Sequence, residues 1–454
     1  MEMISKIVDG INTVLWDYAL LFLLCGTGVW FTFKLKFVQV RNFKIGLKKV
    51  FGGFSLRGGK AGKDGISSFQ ALTTAIAAQV GTGNIAGAST AIAAGGPGAI
   101  FWMWLSAFLG MATIYSEALM AQKYKTEVDG QVTGGPVYYI KAAFKGTFGK
   151  VLATLFSIFI ILALGFMGNA VQANSISDAF ATAFGINPVV VGVIVAILSF
   201  FIFAGGITRI ANVTEKMVPF MAFFYIIGSL LVICVNFRQI PHAFYSIFVG
   251  AFAPEAIAGG VIGVTVQQAM RYGVARGLFS NEAGMGSTPH AHAIAKVDHP
   301  GDQGCVAIVS VFIDTFIVLT LTAMVVLTSG QVQPDGSLIG TALAQASFCT
   351  VMGHFGNIFI AICMFFFAFS TIIGWYFFGE TNVKYLFGTK ATKIYAVLVC
   401  IMIVIGSALK VELVWNMADA FNGLMVIPNL IGLLALTGVV VKVSEDYDKK
   451  KKLV

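Results

Sequence analysis

The residues best suited to chemistry are Gln79, Thr82 and Asn84, set beside Gly81, Gly83 and Gly87 in the stretch Ile76–Gly87. They lie in the middle of an apolar segment, about 67–94, long enough to cross a bilayer. A lipid-facing helix has no use for such a cluster. Glycine loosens a helix, and each freed backbone N–H or C=O needs a partner inside a membrane. A break is therefore tolerated only where it is buried in protein or lines a cavity. It also presents helix-terminal dipoles and spare carbonyls, which suit a carboxylate and a small cation. Close packing through small residues accounts for the Ala and Gly positions. It does not account for Gln79 and Asn84 between them.

The elements that must position this cluster are membrane helices. The chain has 454 residues, of which 57% are hydrophobic and only 11% charged, against about 25% charged in soluble domains. Its mean hydropathy is +0.85. The expected fold class is an all-α membrane protein of about eleven transmembrane helices. Spans are expected near 11–33, 67–94, 98–122, 150–183, 188–208, 215–236, 248–270, 304–328, 353–379, 393–409 and 413–441. The first lacks a basic leader and a small-residue cleavage site, so it reads as a retained helix rather than a signal peptide. The six cysteines are scattered without C-x-x-C spacing, which offers neither a disulfide framework nor a zinc site.

A formal net charge of +9 could be taken for nucleic-acid binding, but its distribution is topological. Only Lys6, Arg238 and Lys410 fall outside the stretches 34–65, 123–150, 209–216, 271–299, 384–393 and 442–454, which hold every other Lys and Arg. These stretches alternate with the expected spans, so by the positive-inside rule they face the cytoplasm. The expectation is a multi-pass cell-membrane protein, N-terminus outside and C-terminus cytoplasmic, with the lipid bilayer and no nucleic acid as partner. Nothing in the sequence fixes the oligomeric state; a monomer is the working expectation.

Setting the first span aside leaves ten. The span at 248–270 carries Gly259, Gly260, Gly263, Thr265, Gln267 and Gln268, again Gly-interrupted and polar at depth. The two polar spans are then the first and sixth of ten. Five spans per unit is odd, so a second unit must insert upside down, the pattern of an inverted-repeat secondary transporter. The expected organisation is an extra helix and basic loop (1–66), a first five-helix repeat (67–238), a second, inverted one (247–441) and a basic tail (442–454), each repeat opening with a discontinuous helix.

The stretch Gly95–Gly110, GGPGAIFWMWLSAFLG, resembles the signature of the alanine or glycine:cation symporter family. Asn281–Ser287, NEAGMGS, resembles that family too, and the similarity covers essentially the whole chain. The resemblance implies uptake of small amino acids with sodium, in some members protons, on the five-plus-five inverted-repeat fold of neurotransmitter:sodium symporters. Val80–Asn84 is similar to the unwound first core helix of bacterial amino acid:sodium symporters. That likeness implies that the N–H groups of Thr82 and Gly83 hold a substrate carboxylate, with Gln79 beside them. Asn84, with the carbonyl of Gln79 or Ala78, would coordinate one cation, approached by Thr265. The carbonyls of Ala77 and Val80 would face a second cation site. Phe367–Thr371 resembles the partner motif, which contributes the Phe367 carbonyl and the Ser370 and Thr371 hydroxyls; i, i+3, i+4 spacing puts these three on one helix face. Thr82 departs from an apolar residue in that pattern, and no Tyr stands in the third core helix. Asn169 and Gln172 are its substitutes, and Gly260, Gly263 and Gln268 complete the substrate site. No cofactor is implied beyond sodium as the co-transported ion.

The remaining polar residues are read in place. Glu117, Asp178 and Glu380 fall near span ends, where solvation is expected. Asp314 is deeper and reads equally as a proton carrier or an internal salt-bridge partner. His290 and His292 read as part of a solvated loop, since no third metal ligand accompanies them. No Walker A, nucleophile–His–Asp set or H-E-x-x-H is present, so neither ATP-driven transport nor an enzyme is indicated. The alternatives to sodium symport are proton coupling through Asp314 or Glu117 and a passive channel; the latter lacks a ring of like charges.

Overall fold

The structure, a computed structural model, describes residues 2–52, 65–253, 265–333 and 336–451. Among these the chain is helical apart from one hairpin, β1 (Thr126–Val128) with β2 (Gln131–Thr133), and a single bridge between Ile66 and Ala295. The helices used below are α1 (Lys6–Lys34), α2 (Phe43–Gly52), α3 (Ser68–Gln79), α4 (Ala88–Gly95), α5 (Gly98–Lys123), α6 (Pro136–Ala143), α7 (Thr147–Phe184), α8 (Pro188–Phe203), α9 (Gly206–Val235), α10 (Ile240–Phe252) and α11 (Val266–Asn281). They continue with α12 (Pro289–Ala293), α13 (Pro300–Ser329), α14 (Gly340–Met352), α15 (Phe355–Phe387), α16 (Ala391–Ala408), α17 (Val411–Ala435) and α18 (Thr437–Lys451). Proline opens α6, α8, α12 and α13, where its missing N–H costs nothing. Eight of these helices are long and apolar enough to cross a membrane: α1, α5, α7, α9, α13, α15, α16 and α17. The 16-residue α8 is apolar but shorter.

Two segments are broken rather than continuous. The first is α3, a non-helical link at Val80, a wide π-helical turn at Gly83–Gly87, and α4. The second is α11, a link over 282–288, and α12. Both lead helices start on a reciprocal cap: Ser67 with Gln70, and Thr265 with Gln268. The two segments run in opposite directions. Ile66, before α3, exchanges backbone hydrogen bonds with Ile294 and Lys296, after α12. At the other end, Gly95 of α4 lies against Tyr272 and Gln268 of α11.

This relocates the second break. The sequence places it within a span at 248–270. In the structure α10 ends at Phe252, and Thr265 opens α11. Gly260 and Gly263 lie outside the described residues. Among the described residues, the break that faces the first one comes in the segment that the sequence reads as a polar loop. Arg271 and Arg276 move with it. Arg271 pairs with Asp17 of α1 at 3.0 Å, and Arg276 with Asp419 near the start of α17. Both therefore belong to the half of the bundle opposite the 34–65 loop, not to a basic loop at 271–299.

Glycines set how closely some helices approach. A methyl group at Gly98 would run into the backbone of Gly250 and Ala251, whereas one at Gly26, on α1, meets nothing within 4 Å. Gly98→Ala should therefore push α5 from α10 and lower thermal stability in detergent by about 1–3 kcal/mol. Gly26→Ala should leave stability unchanged or raise it slightly. Equal unfolding temperatures for the two variants would contradict this packing.

Candidate functional site

The first break is held open by side chains. Freed from the helix ladder, the Gly81 N–H donates to Asn84 Oδ1 at 2.9 Å and the Thr82 N–H to Gln172 Oε1 at 3.1 Å. Gly81 is required here: a Cβ would collide with the Thr371 hydroxyl. On the other side of the link, Thr371 Oγ1 lies 2.9 Å from the Ala77 carbonyl, 3.5 Å from that of Val80 and 3.1 Å from that of Phe367. Ser370 Oγ lies 3.3 Å from the Ala77 carbonyl and 2.8 Å from that of Phe367. Three carbonyls and two hydroxyls thus meet between α3 and α15. Gly374 lets the helices approach this closely, since a Cβ there would lie 3.0 Å from that of Ala78.

Four buried polar atoms about the break have no hydrogen-bond partner among the described residues: Gln79 Oε1, Thr82 Oγ1, Asn169 Oδ1 and Gln172 Nε2. Buried polar groups are ordinarily paired, and each exception needs a reason. Two of these atoms are donors and two acceptors. Their neighbours are aromatic. Phe279 lies against Gly83, and Trp375 lies where a Cβ on Gly168 would be, 2.5 Å from its ring. The Phe279 and Trp375 rings are 5.5 Å apart, and Trp415 packs at a tilt on Phe279 at 4.7 Å. Arg276 lies over Trp415 at 4.6 Å and grips Asp419 with two bonds of 2.9 and 2.5 Å.

The second break rests on carboxylates. Glu117, fully buried, accepts the N–H groups of Gly284 and Gly286 at 3.0 Å each and the Asn429 amide at 2.6 Å. Tyr139 holds Asn429 from behind. Glu282, Gly284 and Gly286 take positive φ of 58°, 94° and 78°, and Glu282 accepts from Trp375 Nε1 and Ser287. The sequence placed Glu117 near solvent at a span end. It is instead fully buried, because the unwound backbone needs an acceptor there. His290 and His292 are likewise buried, bonded to Ser287 and Asn382 and to Gln303 respectively, so the solvated-loop reading of them fails. Glu380, also expected to be solvated, is buried on α15, 7% exposed with Lys384 at 3.8 Å, whereas Asp178 is half-buried.

The two breaks meet through Asn84. Its Nδ2 donates to Asp314 Oδ1 at 2.7 Å, and Ser280 and Thr315 also bond that carboxylate. Gln79 Nε2 reaches the Asn281 carbonyl at 2.7 Å. Thr265 does not take part. Its hydroxyl caps α11 at the exposed end, and Gln268 is its capping partner there, so neither reaches Asn84.

The profile of the sodium:alanine symporter family matches residues 1–453. The chain belongs to the sodium:alanine symporter family. The sodium/alanine symporter AgcS of Methanococcus maripaludis is 43% identical over 100% of this chain and 99% of its own length. The probable sodium/glutamine symporter GlnT of Bacillus subtilis is 41% identical over 99% and 92%. Among solved structures, the manganese transporter of Eremococcus coleocola superposes on 82% of this chain and 78% of its own with a TM-score of 0.53 at 16% identity, a likeness of fold alone.

In this symporter-family chain, Glu117, Ser280, Asn281 and Glu282 bond about the two breaks, whereas the sequence reading set Glu117 at a solvated span end and Asn281–Ser287 in a polar loop. One signal was available: Gly284 and Gly286 alternate with their neighbours as Gly81 and Gly83 do. If Glu117 is what holds the second break, Glu117→Ala should lower the unfolding temperature more than Glu117→Gln. Alanine strands two N–H groups at about 1–3 kcal/mol each, whereas glutamine keeps an acceptor. Equal losses in a thermal-unfolding assay would reject that role.

Proposed function

We propose that this protein is a secondary active transporter that imports alanine and glycine by symport with sodium through alternating access. The observation that carries this reading is the set of unpartnered buried atoms beside the five-oxygen cluster. Thr82 Oγ1 and Gln172 Nε2 are donors suited to a carboxylate; Gln79 Oε1 and Asn169 Oδ1 are acceptors suited to an ammonium group. A substrate carboxylate replaces Gln172 Oε1 on the Thr82 N–H, with the Gly83 N–H beside it. Ala77, Val80, Phe367, Ser370 and Thr371 take a sodium ion; uncharged oxygens suit a hard monovalent cation. No catalytic role is assigned to any residue.

The proposed frame is eleven spans: the eight long helices, α8 and the two broken segments. After α1, residues 67–238 form one five-helix unit and 247–441 its inverted counterpart. The opposed directions of the broken segments and their matching caps support it. We place the N-terminus outside and the C-terminus in the cytoplasm, in keeping with the basic loops, and treat the monomer as the working unit.

Uptake of labelled alanine into liposomes should follow an imposed sodium gradient and survive collapse of a pH gradient. Thr371→Ala should abolish the sodium dependence, while Ile194→Ala, at a residue 52% exposed on α8, should not. Uptake driven by a pH gradient without sodium would replace this reading with proton coupling.

In this reading Phe279 and Trp375, which lie beside Gly83 and Gly168, limit the size of the substrate side chain. Phe366 and Phe369 belong to a ladder with Phe365 and Phe220, and Phe367 packs on Tyr225. Glycine should bind more weakly than alanine by about 1–3 kcal/mol, a missing methyl's worth, and leucine hardly at all. Phe279→Ala should extend the range to valine and leucine. A relative named for glutamine fits a shared backbone scheme with different walls. Equal binding of leucine and alanine by the unmodified protein would defeat the small-substrate reading.

A further inference from the structure

The buried carboxylates about the breaks, Glu117, Glu282 and Asp314, all have donors facing them. Asp178 has none. Half-buried near the end of α7, it makes no hydrogen bond and no ion pair among the described residues. One turn earlier, on the same helix face, stands Asn174, 4% exposed. Its Nδ2 donates to the carbonyls of Gly406 at 2.9 Å and Leu409 at 2.8 Å, while its Oδ1 is buried without a partner. Both residues line a cavity of about 310 Å³ shared with the first residues of α8 and the last turn of α16. Ser407 of α16 also lines it. A Cβ on Gly192 of α8 would collide with that hydroxyl, which donates to the Val404 carbonyl at 2.7 Å and keeps its lone pairs as acceptors.

Every polar group left free in this cavity is therefore an acceptor. The carbonyls that end α16 add partial negative charge, and no Lys, Arg or His is among the lining residues. The cavity suits a cation. Hard metal ions take six or more oxygens, whereas only Asp178, Asn174 and Ser407 offer side-chain oxygens here, beside apolar Pro188, Val189 and Leu409. A zwitterionic amino acid would set its carboxylate against Asp178 with nothing positive to meet it. A primary ammonium group brings three N–H donors to three acceptors, and its carrier meets the apolar wall.

We propose that this cavity binds a primary ammonium group, carried by a lipid headgroup or by a small soluble amine. The surroundings favour the lipid. α8 and α16 pack side by side and expose Val193, Ile194 and Ile197 on one and Ile401 and Ile405 on the other. The cavity lies at the end of that apolar face, opposite Lys150 of α7 and Lys393 of α16, where spanning helices reach the headgroups. Exposed Lys410 follows Leu409 directly and supplies a cation for a headgroup phosphate. A headgroup held there ties α7, the helix that carries Asn169 and Gln172, to α8 and α16. The proposal rests on these three helices crossing the bilayer and is independent of sodium symport.

The test uses the full chain in detergent and native mass spectrometry, with dioleoyl-phosphatidylethanolamine, dioleoyl-phosphatidylcholine and free ethanolamine as probes. The unmodified protein should bind the ethanolamine lipid roughly tenfold more tightly than the choline lipid, whose quaternary nitrogen has no N–H to donate. Asp178→Asn keeps the shape, removes the charge and should erase that preference. Ser407→Ala removes one acceptor, leaves a smaller side chain against Gly192 and should reduce the preference; it carries the test if Asp178→Asn does not fold. Lys410→Gln should weaken lipid binding and leave free ethanolamine unchanged, which assigns the site to a lipid. Free ethanolamine bound as tightly as the lipid, with Lys410→Gln without effect on either, keeps the ammonium site and assigns it to a soluble amine. Equal binding of the two lipids by the unmodified protein overturns the proposal. So does a folded Asp178→Asn that keeps the full preference or, where that variant does not fold, a Ser407→Ala that keeps it.

Discussion

A helix interrupted inside an apolar bundle must find a partner for every backbone group it releases. The rest of this structure follows from meeting that demand twice. At the first break the partners are neutral amides, Asn84 and Gln172, which take the Gly81 and Thr82 N–H groups. At the second they are carboxylates, chiefly Glu117 on Gly284 and Gly286. The choice of partner sets the local charge. Side-chain amides hold the first break's N–H groups without bringing an ionisable group, and the Ser370 and Thr371 hydroxyls meet its carbonyls, whereas the second break is held by carboxyl groups.

These solutions also explain which helices surround the breaks. The first needs α7 to bring Gln172 and α15 to bring Thr371. The second needs α5 for Glu117, α17 for Asn429 and α15 again for Trp375. The 33-residue α15 therefore touches both breaks from one element. A shift of α15 against the broken segments must disturb the oxygen cluster at Thr371 and the Trp375–Glu282 contact together, which ties the two ends of the site mechanically.

The membrane class, the long helices and the first break were legible because they depend on local sequence: apolar run length, and Gly with Asn and Gln in one turn. The spacing of Phe367, Ser370 and Thr371 likewise put three oxygens on one face before any neighbour was known. The second break was not legible. Gly259–Gln268 has the same composition as a broken span, while Glu282–His292 has that of a solvated loop. What distinguishes them is supplied from far away. Glu117, Asn382, Gln303 and Asn429 bury the polar loop by pairing with it, and no periodicity within residues 282–292 records those partners. Thr265 failed for the same reason in reverse: its polar side chain at apparent depth is a helix cap.

The buried ion pair completes the argument about charge. Arg276 and Asp419 neutralise one another, and Arg276 also spreads over the Trp415 face. A buried pair of this kind contributes little net stability, because desolvation offsets attraction; its value lies in joining α11 to α17 directly. Phe279 lies one turn further along α11, against Trp415 and Trp375, and Ser280 follows it. The α11 turn that carries Phe279 is thus anchored at Arg276 and leads straight into Ser280, the residue that bonds Asp314. A rigid shift of this α11 turn against α17 would carry Phe279 and Ser280 with Arg276, so the aromatic cluster, the Asp314 contact and the ion pair share one short stretch of helix.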